Sequence, residues 1–153
     1  MNPQSKQHGF SMVEILVTIV VMAIGLLGLA GLQATSLRNT EESYQRSQAA
    51  ALAYDMLDRM RANSAGVTAG DYDSITAAPG SHTDCTAGTC TTSQMATYDN
   101  YDWQTKIAAA LSSGSGAVSG NGAGSVFTIT ISWDDDRDPS TAAATFTLSS
   151  RIS

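Results

Sequence analysis

The sequence has few of the residues on which catalysis and nucleic-acid recognition depend. Its 153 residues contain eight Lys and Arg against fourteen Asp and Glu, and the formal net charge is −6. The basic residues are dispersed, which disfavours binding to nucleic acid. The two histidines, His8 and His82, are far apart in the sequence, and we find no nucleophile–base set or glycine-rich phosphate loop. The sequence therefore predicts neither an enzyme nor a nucleic-acid-binding protein, and it indicates no cofactor.

Charge is also missing from one long apolar run. Residues 15–37, which are 23 positions, include no charged residue. As a helix this run would be about 34 Å long, which exceeds the ~30 Å of a bilayer core. Glu14 stands alone at the start of the run. Since a carboxylate near bilayer depth is costly, Glu14 is expected to have a partner of opposite charge.

A short polar segment lies on the N-terminal side of this run, which is not the side on which a secretory signal is cleaved. A secretory signal has its cleavage site after the apolar region. Here the short polar segment, residues 1–9, comes before it and carries the basic Lys6. Residues 9–14, with the sequence Gly-Phe-Ser-Met-Val-Glu, resemble the class III leader of type IV pilins and pseudopilins. An ordinary signal anchor that happens to contain Gly-Phe is the simpler alternative.

The resemblance implies a processing site and an assembly residue. A prepilin peptidase would cut between Gly9 and Phe10, and the new N-terminal residue, Phe10, would be methylated. Glu14 would then be the fifth mature residue. In an assembled filament, its carboxylate would meet the N-terminal amine of Phe10 on a neighbouring subunit.

The helix is expected to continue well beyond the apolar run. Residues 38–63 contain no Pro or Gly. Apolar residues recur there at three-to-four spacing, which indicates an amphipathic stripe: Tyr44, Ala51, Leu52, Met56, Leu57 and Met60. We predict one helix from about Ser11 to Ala62 that stops within residues 63–66. Residues 49–63 also resemble the corresponding helix of the PilV minor pilins, the type IV pilus modification proteins, and residues 25–33 share this resemblance.

Whether the two cysteines form a disulfide depends on the side of the membrane on which they lie. Lys6 lies on one side of the apolar run and Arg38 on the other, so the positive-inside rule favours a cytoplasmic N-terminus only slightly. The leader resemblance implies the same orientation. Cys85 and Cys90 then lie outside the cytoplasm, where an even count indicates one disulfide. A metal site at the two cysteines would need several further soft ligands nearby, and His82 is the only candidate there.

The rest of the chain predicts a small α+β domain. Thr91 and Gln94 form a candidate capping box for a helix over about Thr92 to Leu111. On this helix the apolar side is expected to pack inward and the charged side to face water; the charged side consists of Asp99, Asp102 and Lys106.

Two segments of alternating apolar and polar residues, 126–133 and 145–152, predict an antiparallel hairpin. A short strand at Ala117-Val118 and a turn at residues 120–122 precede it, and residues 67–90 are expected to be mostly loop. The connection between the two long strands is acidic, with Asp134, Asp135, Asp136 and Asp138. These acids could offer oxygens to calcium, but an exposed acidic loop that discourages edge pairing is the better-supported interpretation.

The predicted fold is α+β and type IV pilin-like. A long N-terminal helix, embedded in the membrane along its first half, packs along its second half on a small antiparallel β-sheet. The expected organisation is a cleaved leader (1–9), a transmembrane and assembly helix (10–37), its amphipathic continuation (38–63) and a periplasmic α+β head (64–153).

The resemblance implies a minor pilin that co-assembles into, or primes, a type IV pilus for adhesion and twitching motility. Its expected partners are the major pilin, other minor pilins, the prepilin peptidase, the inner-membrane assembly platform and a tip adhesin, with membrane lipid before assembly. Its expected location is the inner membrane of a Gram-negative bacterium, with the head in the periplasm, and later the filament at the cell surface. Two alternatives are a pseudopilin of a type II secretion system and a membrane-anchored binding module that never polymerises.

Overall fold

The computed structural model describes residues 10–135 and 141–152. In chain order the elements are α1 (Met12–Ala62), α2 (Ser64–Ala69), β1 (Ser74–Ile75), α3 (Thr92–Ala110), β2 (Ser115–Ser119), β3 (Val126–Trp133) and β4 (Ala144–Arg151). The chain forms two compact units, Met1–Glu41 and Glu42–Ser153. This combination of helices with an antiparallel sheet confirms the predicted α+β class.

Helix α1 has the predicted length, but its buried face differs from the predicted stripe. In the second unit its buried residues are Ala49, Ala53, Met56, Leu57 and Met60. Tyr44 and Ala51 are exposed, so their assignment to the stripe was wrong. Ala51 is two residues from Ala49 and from Ala53, which places it about 200° away around the helix. The two small alanines, and not the larger Tyr44, therefore fill the core side of the helix.

The predicted stop after Ala62 is the start of a second, short helix. The Asn63 side chain accepts a hydrogen bond from the Gly66 N–H at 3.3 Å and so caps the N-terminus of α2. Gly70 caps the C-terminus of α2, and its φ of +86° lies in the left-handed region that favours glycine. Helix α2 begins within the predicted stop and extends into residues 67–90, which were predicted to be mostly loop, and β1 lies within those residues. Both elements were missed because each is too short to show a hydrophobic period.

Helix α3 begins as predicted and ends one residue early. The Thr91 hydroxyl accepts from the Gln94 N–H at 3.3 Å, and the Gln94 side chain accepts from the Thr91 N–H at 2.9 Å, which confirms the capping box. Asp99 was predicted to face water but is only 6% exposed. This prediction was wrong because Asp99 is held by hydrogen bonds from residues outside α3, described below.

The four strands form one antiparallel sheet in the order β1-β2-β3-β4. The β3–β4 hairpin was predicted, and its register pairs Ile129 with Leu148 and Trp133 with Ala144. Strand β2 lies in a Gly/Ser-rich passage, where Gly116 allows close packing against α3. A Cβ atom at Gly116 would lie 2.4 Å from the ring of Trp103. The neighbouring Gln104 side chain bonds to both the N–H and the C=O of Gly116.

The core of the second unit lies between the sheet, α3 and the part of α1 that belongs to this unit. Each of the two buried tryptophans donates its indole N–H to α1. Trp103 bonds to the Leu52 carbonyl at 2.8 Å, and Trp133 bonds to Gln45 Oε1 at 3.0 Å. The hairpin therefore packs on the second half of the long helix, as its apolar face required.

Candidate functional site

The first candidate site is the beginning of α1. The Ser11 side chain accepts from the Val13 N–H at 3.3 Å, and the Ser11 carbonyl accepts from the Glu14 N–H at 3.0 Å. Ser11 thus caps the helix, and Glu14 lies in the first turn, where its negative charge suits the helix dipole. Phe10 precedes the helix and is 81% exposed. Gly9, the predicted cleavage residue, lies outside the described residues.

The surface of α1 that follows is apolar on every side. No residue from Met12 to Leu37 is buried. Large side chains such as Met22 and Leu27 are 70% and 74% exposed. The helix is long and apolar enough to cross a membrane. A surface of this kind needs lipid or other apolar helices around it, because its contact with water is unfavourable.

Three glycines, Gly25, Gly28 and Gly31, interrupt this apolar surface. A Cβ atom at any of them would have nothing within 4 Å in the single chain. In membranes, small residues allow neighbouring helices to approach closely. The glycines therefore offer places where another helix could pack against α1.

In the second unit, a network of charged residues joins α1 to α3, with Arg59 at its centre. Its Nε is 3.1 Å from Asp55 Oδ2, its Nη1 is 3.1 Å from Asp99 Oδ1, and its Nη2 bonds to Asp102 Oδ2. Lys106 Nζ lies 3.0 Å from Asp102 Oδ2. All three of these guanidinium nitrogens are used, so Arg59 acts as a connector between helices and does not present its charge to a ligand.

Two members of this network, Arg59 and Asp102, have shifted pKa values. Burial alone lowers the pKa of Arg59, but the hydrogen bond to Asp102 and the charge of Asp55 raise it above its ordinary value. Burial raises the pKa of Asp102, but hydrogen bonds from Lys106 and Arg59 lower it below its ordinary value. Both shifts favour the charged forms.

Tyr72 and Asn63 extend the network towards α2. The Tyr72 hydroxyl donates to Asp99 Oδ2 at 2.6 Å. The Asn63 side-chain amide donates to the Tyr72 oxygen at 3.1 Å and to the Thr92 carbonyl at 2.8 Å. Burial, and then the hydrogen bond to Asp99, raise the pKa of Tyr72, so this residue remains a donor. Asp99 is thereby bonded from two sides.

Most of this network could not be predicted from the sequence. Asp55 and Arg59 are four residues apart on α1, and Asp102 and Lys106 are four residues apart on α3. This i,i+4 spacing can be seen in the sequence. Each pair could be predicted as a surface pair within one helix. The contacts of Arg59 with α3 span 40 and 43 residues of sequence, and no local pattern indicates them.

Near this network, Cys85 and Cys90 are joined in a disulfide, with their Cα atoms 5.7 Å apart. His82, in the same loop, stacks on the ring of Tyr101, with ring centroids 3.6 Å apart. Within the described residues, no group of three or more His, Cys, Asp or Glu side chains could hold a metal ion. Asp136 and Asp138 of the acidic connection lie outside the described residues.

Comparison with protein families adds two matches. Residues 4–30 match the prokaryotic N-terminal methylation motif, and residues 31–101 match the family described as type IV pilin Tt1218. The two matches adjoin and together cover the whole of α1 and the chain as far as the middle of α3. Searches of curated proteins and of solved structures found no match.

Proposed function

We propose that the chain is a minor pilin that co-assembles into a type IV pilus or primes its assembly. The premise is that the methylation motif and the adjoining pilin region support a type IV pilin, with a pilin role in a pilus or pseudopilus system. The long apolar helix and the small antiparallel sheet match the type IV pilin fold. Type IV pilins are structural proteins, so the function lies in assembly and not in catalysis.

The observation that carries the proposal is the uncovered apolar surface of α1 over residues 12–37. A fully buried Leu, Ile or Val side chain is stabilised by about 1.5–3 kcal/mol relative to an exposed one. Within one chain, residues 12–37 bury none of them. Lipid before assembly, and the helices of other pilins after it, supply the apolar surroundings that the chain itself lacks.

Processing would take place at the start of this helix. We propose that the prepilin peptidase cuts after Gly9 and that Phe10 becomes the methylated N-terminus. The exposure of Phe10 and its position before the first helical turn leave the new terminus open to modification. The methylation motif supports this processing, since it spans both residues.

Glu14 would then direct docking. Its carboxylate belongs to the first turn of an apolar helix, four residues beyond Phe10. As subunits enter a filament core of low dielectric, a lone carboxylate becomes costly unless it pairs with a positive group. The N-terminal amine of Phe10 on an adjacent subunit is such a group.

We also propose a domain organisation for the chain, its orientation in the membrane and its partners. Residues 1–9 would be the cleaved leader, residues 10–37 the transmembrane and assembly helix, residues 38–63 its amphipathic continuation, and residues 64–153 the head. The head would lie in the periplasm of a Gram-negative cell, where its disulfide is stable. The partners would be the major pilin, other minor pilins, the prepilin peptidase, the inner-membrane assembly platform and a tip adhesin, with membrane lipid before assembly.

The amount of protein in sheared pili, normalised to its membrane pool, tests the role of Glu14. We expect Glu14→Gln to insert and be cleaved but to be depleted from pili, because it keeps the shape and loses the charge. Glu14→Asp should be intermediate, since the side chain is one methylene shorter. Glu42→Gln is the matched control, because this exposed acid lies on α1 beyond the apolar run. Equal incorporation of Glu14→Gln and wild type would refute charge pairing.

Deletion of the gene distinguishes a minor pilin of a type IV pilus from a pseudopilin of a type II secretion system. Loss of twitching with normal protein export is expected for the minor pilin. Loss of export with normal twitching would instead assign the chain to a type II pseudopilus. If deletion affects neither twitching nor export, and the protein is absent from the sheared filaments of the wild type, a membrane-anchored module that does not polymerise would be favoured.

A further inference from the structure

A long segment without helix or strand, residues 76–91, connects β1 to α3. Irregular connections longer than about 12–15 residues are uncommon in compact domains, and an ordered one is usually functional. This segment is anchored at two places. The Asn100 side-chain amide donates to the Ala77 carbonyl at 2.9 Å, and a disulfide ties Cys85 to Cys90, just before the first turn of α3.

We call the residues between these two anchors, 78–84, the strap. All of them except Pro79 are exposed. The strap and α3 border a cleft of about 250 Å³. The lining of this cleft is polar on both sides and consists of Ser81, His82, Thr83, Ser93, Gln94 and Thr97. Because the strap buries little surface and water can fill a polar cleft, local opening of the strap costs little free energy.

The ring of His82 holds the strap against α3. It stacks on the ring of Tyr101, with centroids 3.6 Å apart and an angle of 18° between the two planes. The ring of Tyr98 lies further away, at 5.9 Å and 47°. The closed position of the strap therefore depends on a contact whose strength changes with the charge of a histidine.

Histidine is the side chain whose charge ordinarily changes between pH 5 and pH 8. A protonated ring over the face of Tyr101 gains a cation–π attraction that a neutral ring lacks. We infer that the strap is a pH-sensitive device, which is closed on α3 when His82 is protonated and opens more often when His82 is neutral. This inference goes beyond the proposed function and does not rest on it, because it concerns one segment of the head.

The other groups around His82 do not distinguish the closed strap from the open one by charge. Tyr98 and Tyr101 face it from α3, and tyrosine is a residue type that stays neutral between pH 5 and pH 8. Hydrogen bonds from Thr86, and then the charge of His82, lower the pKa of Asp84 below its ordinary value. Asp84 belongs to the strap and moves with His82, so this attraction is present in both states. Since the closed state favours the protonated ring, closure should be strongest at pH 5 and weaken as the pH rises to 8.

NMR of the full chain in detergent micelles at pH 5 and pH 8 tests the inference. Nuclear Overhauser effects between the side chain of residue 82 and the ring of Tyr101 report the closed population, and backbone relaxation of residues 80–84 reports the mobility of the strap. We expect the ratio of closed to open strap to be about two- to fivefold higher at pH 5, the factor that an exposed cation–π contact supplies.

Three variants identify the groups that cause the pH dependence. His82→Arg keeps a stacking cation at both pH values, so the strap should stay closed at both. His82→Gln is neutral and should show the mobility of the pH 8 state at both. Tyr101→Leu keeps an apolar contact but removes the ring, so it should abolish the pH dependence. Tyr54→Leu, at an exposed tyrosine on α1, is the matched control and should leave it intact.

The wild-type comparison decides the inference even if a variant fails to fold. Equal closure of the strap at pH 5 and pH 8, or stronger closure at pH 8, would overturn it. A pH dependence that persists in Tyr101→Leu would also overturn it, because the ring of Tyr101 would then not be the partner of the charge. So would a strap that is open at both pH values in a folded His82→Arg.

Discussion

Replacing Arg59 with Met should destabilise the head strongly, because it breaks a largely buried ion pair. The change removes one partner of Asp55, Asp99 and Asp102 and keeps a side chain of similar length. Asp99 suffers most, because only 9% of its side chain is exposed and water cannot replace the lost guanidinium.

The magnitude follows from the burial of the pair. Removing one partner of a buried ion pair costs about 3–5 kcal/mol. Asp99 keeps the hydroxyl of Tyr72, and Asp102 keeps Lys106, so the lower end of this range applies. We therefore expect Arg59→Met to lower the free energy of unfolding by about 3 kcal/mol. The exposed pair of Arg61 with Asp58 should contribute only about 0.2–1 kcal/mol.

Denaturant unfolding of the full chain in micelles measures both variants. The fluorescence of Trp103 and Trp133 reports on the head, because both residues are buried in its core. Arg61→Met is the matched control, since it removes an arginine one half-turn away that bonds only across an exposed surface. Similar losses for the two variants would refute the account of the network, as would a loss below about 1 kcal/mol for Arg59→Met.

The effect should also depend on pH. The pKa of Asp102 is lower in the folded chain than its ordinary value of 3.8. Its contribution is therefore present above about pH 4 and is lost as the pH falls through the lowered, folded pKa. The difference in stability between wild type and Arg59→Met should shrink on acidification below this value. A difference that grows there would contradict the sign.

Three further changes test other parts of the chain. Tyr72→Phe should lower the free energy of unfolding by about 1–2 kcal/mol at neutral pH. Because the pKa of Tyr72 is raised in the folded chain, the wild type should lose stability above pH 10, and the variant should lose less. Denaturant titrations at pH 7 and pH 10.5 measure both effects. Cys85→Ser should destabilise the head by about 2 kcal/mol without blocking processing, since the closed loop is short; free-thiol labelling of the native wild type at both cysteines would refute the bond. Gly9→Val should leave the full-length precursor in the membrane, visible as a larger band on an immunoblot, and normal cleavage would contradict a requirement for a small residue before Phe10.

The long elements of the fold could be predicted from the sequence because their signals are local. The absence of Pro and Gly over residues 38–63 set the extent of α1, and strict alternation set β3 to the residue. The capping box at Thr91 was equally local. Short elements carry no such period, so α2 and β1 were missed.

The position of the helix stripe and the network around Arg59 could not be predicted, for a different reason. Which side of an amphipathic helix is buried depends on what packs there, and α1 buries Ala49 and Ala53 while Tyr44 is exposed. The burial of Asp99 depends on Arg59 and Tyr72, which are 40 and 27 residues away. At the candidate assembly site the position was better defined, since Phe10 and Glu14 belong to one contiguous motif.

The central claim, that the chain is processed and assembled as a pilin, is tested most directly by the intact mass of the mature protein. The chain should be expressed in a cell that contains a prepilin peptidase, extracted from membranes and sheared filaments, and measured under non-reducing conditions. We predict the mass of residues 10–153 with one added methyl group and one disulfide. A mass that corresponds to residues 1–153 without methylation would contradict the claim.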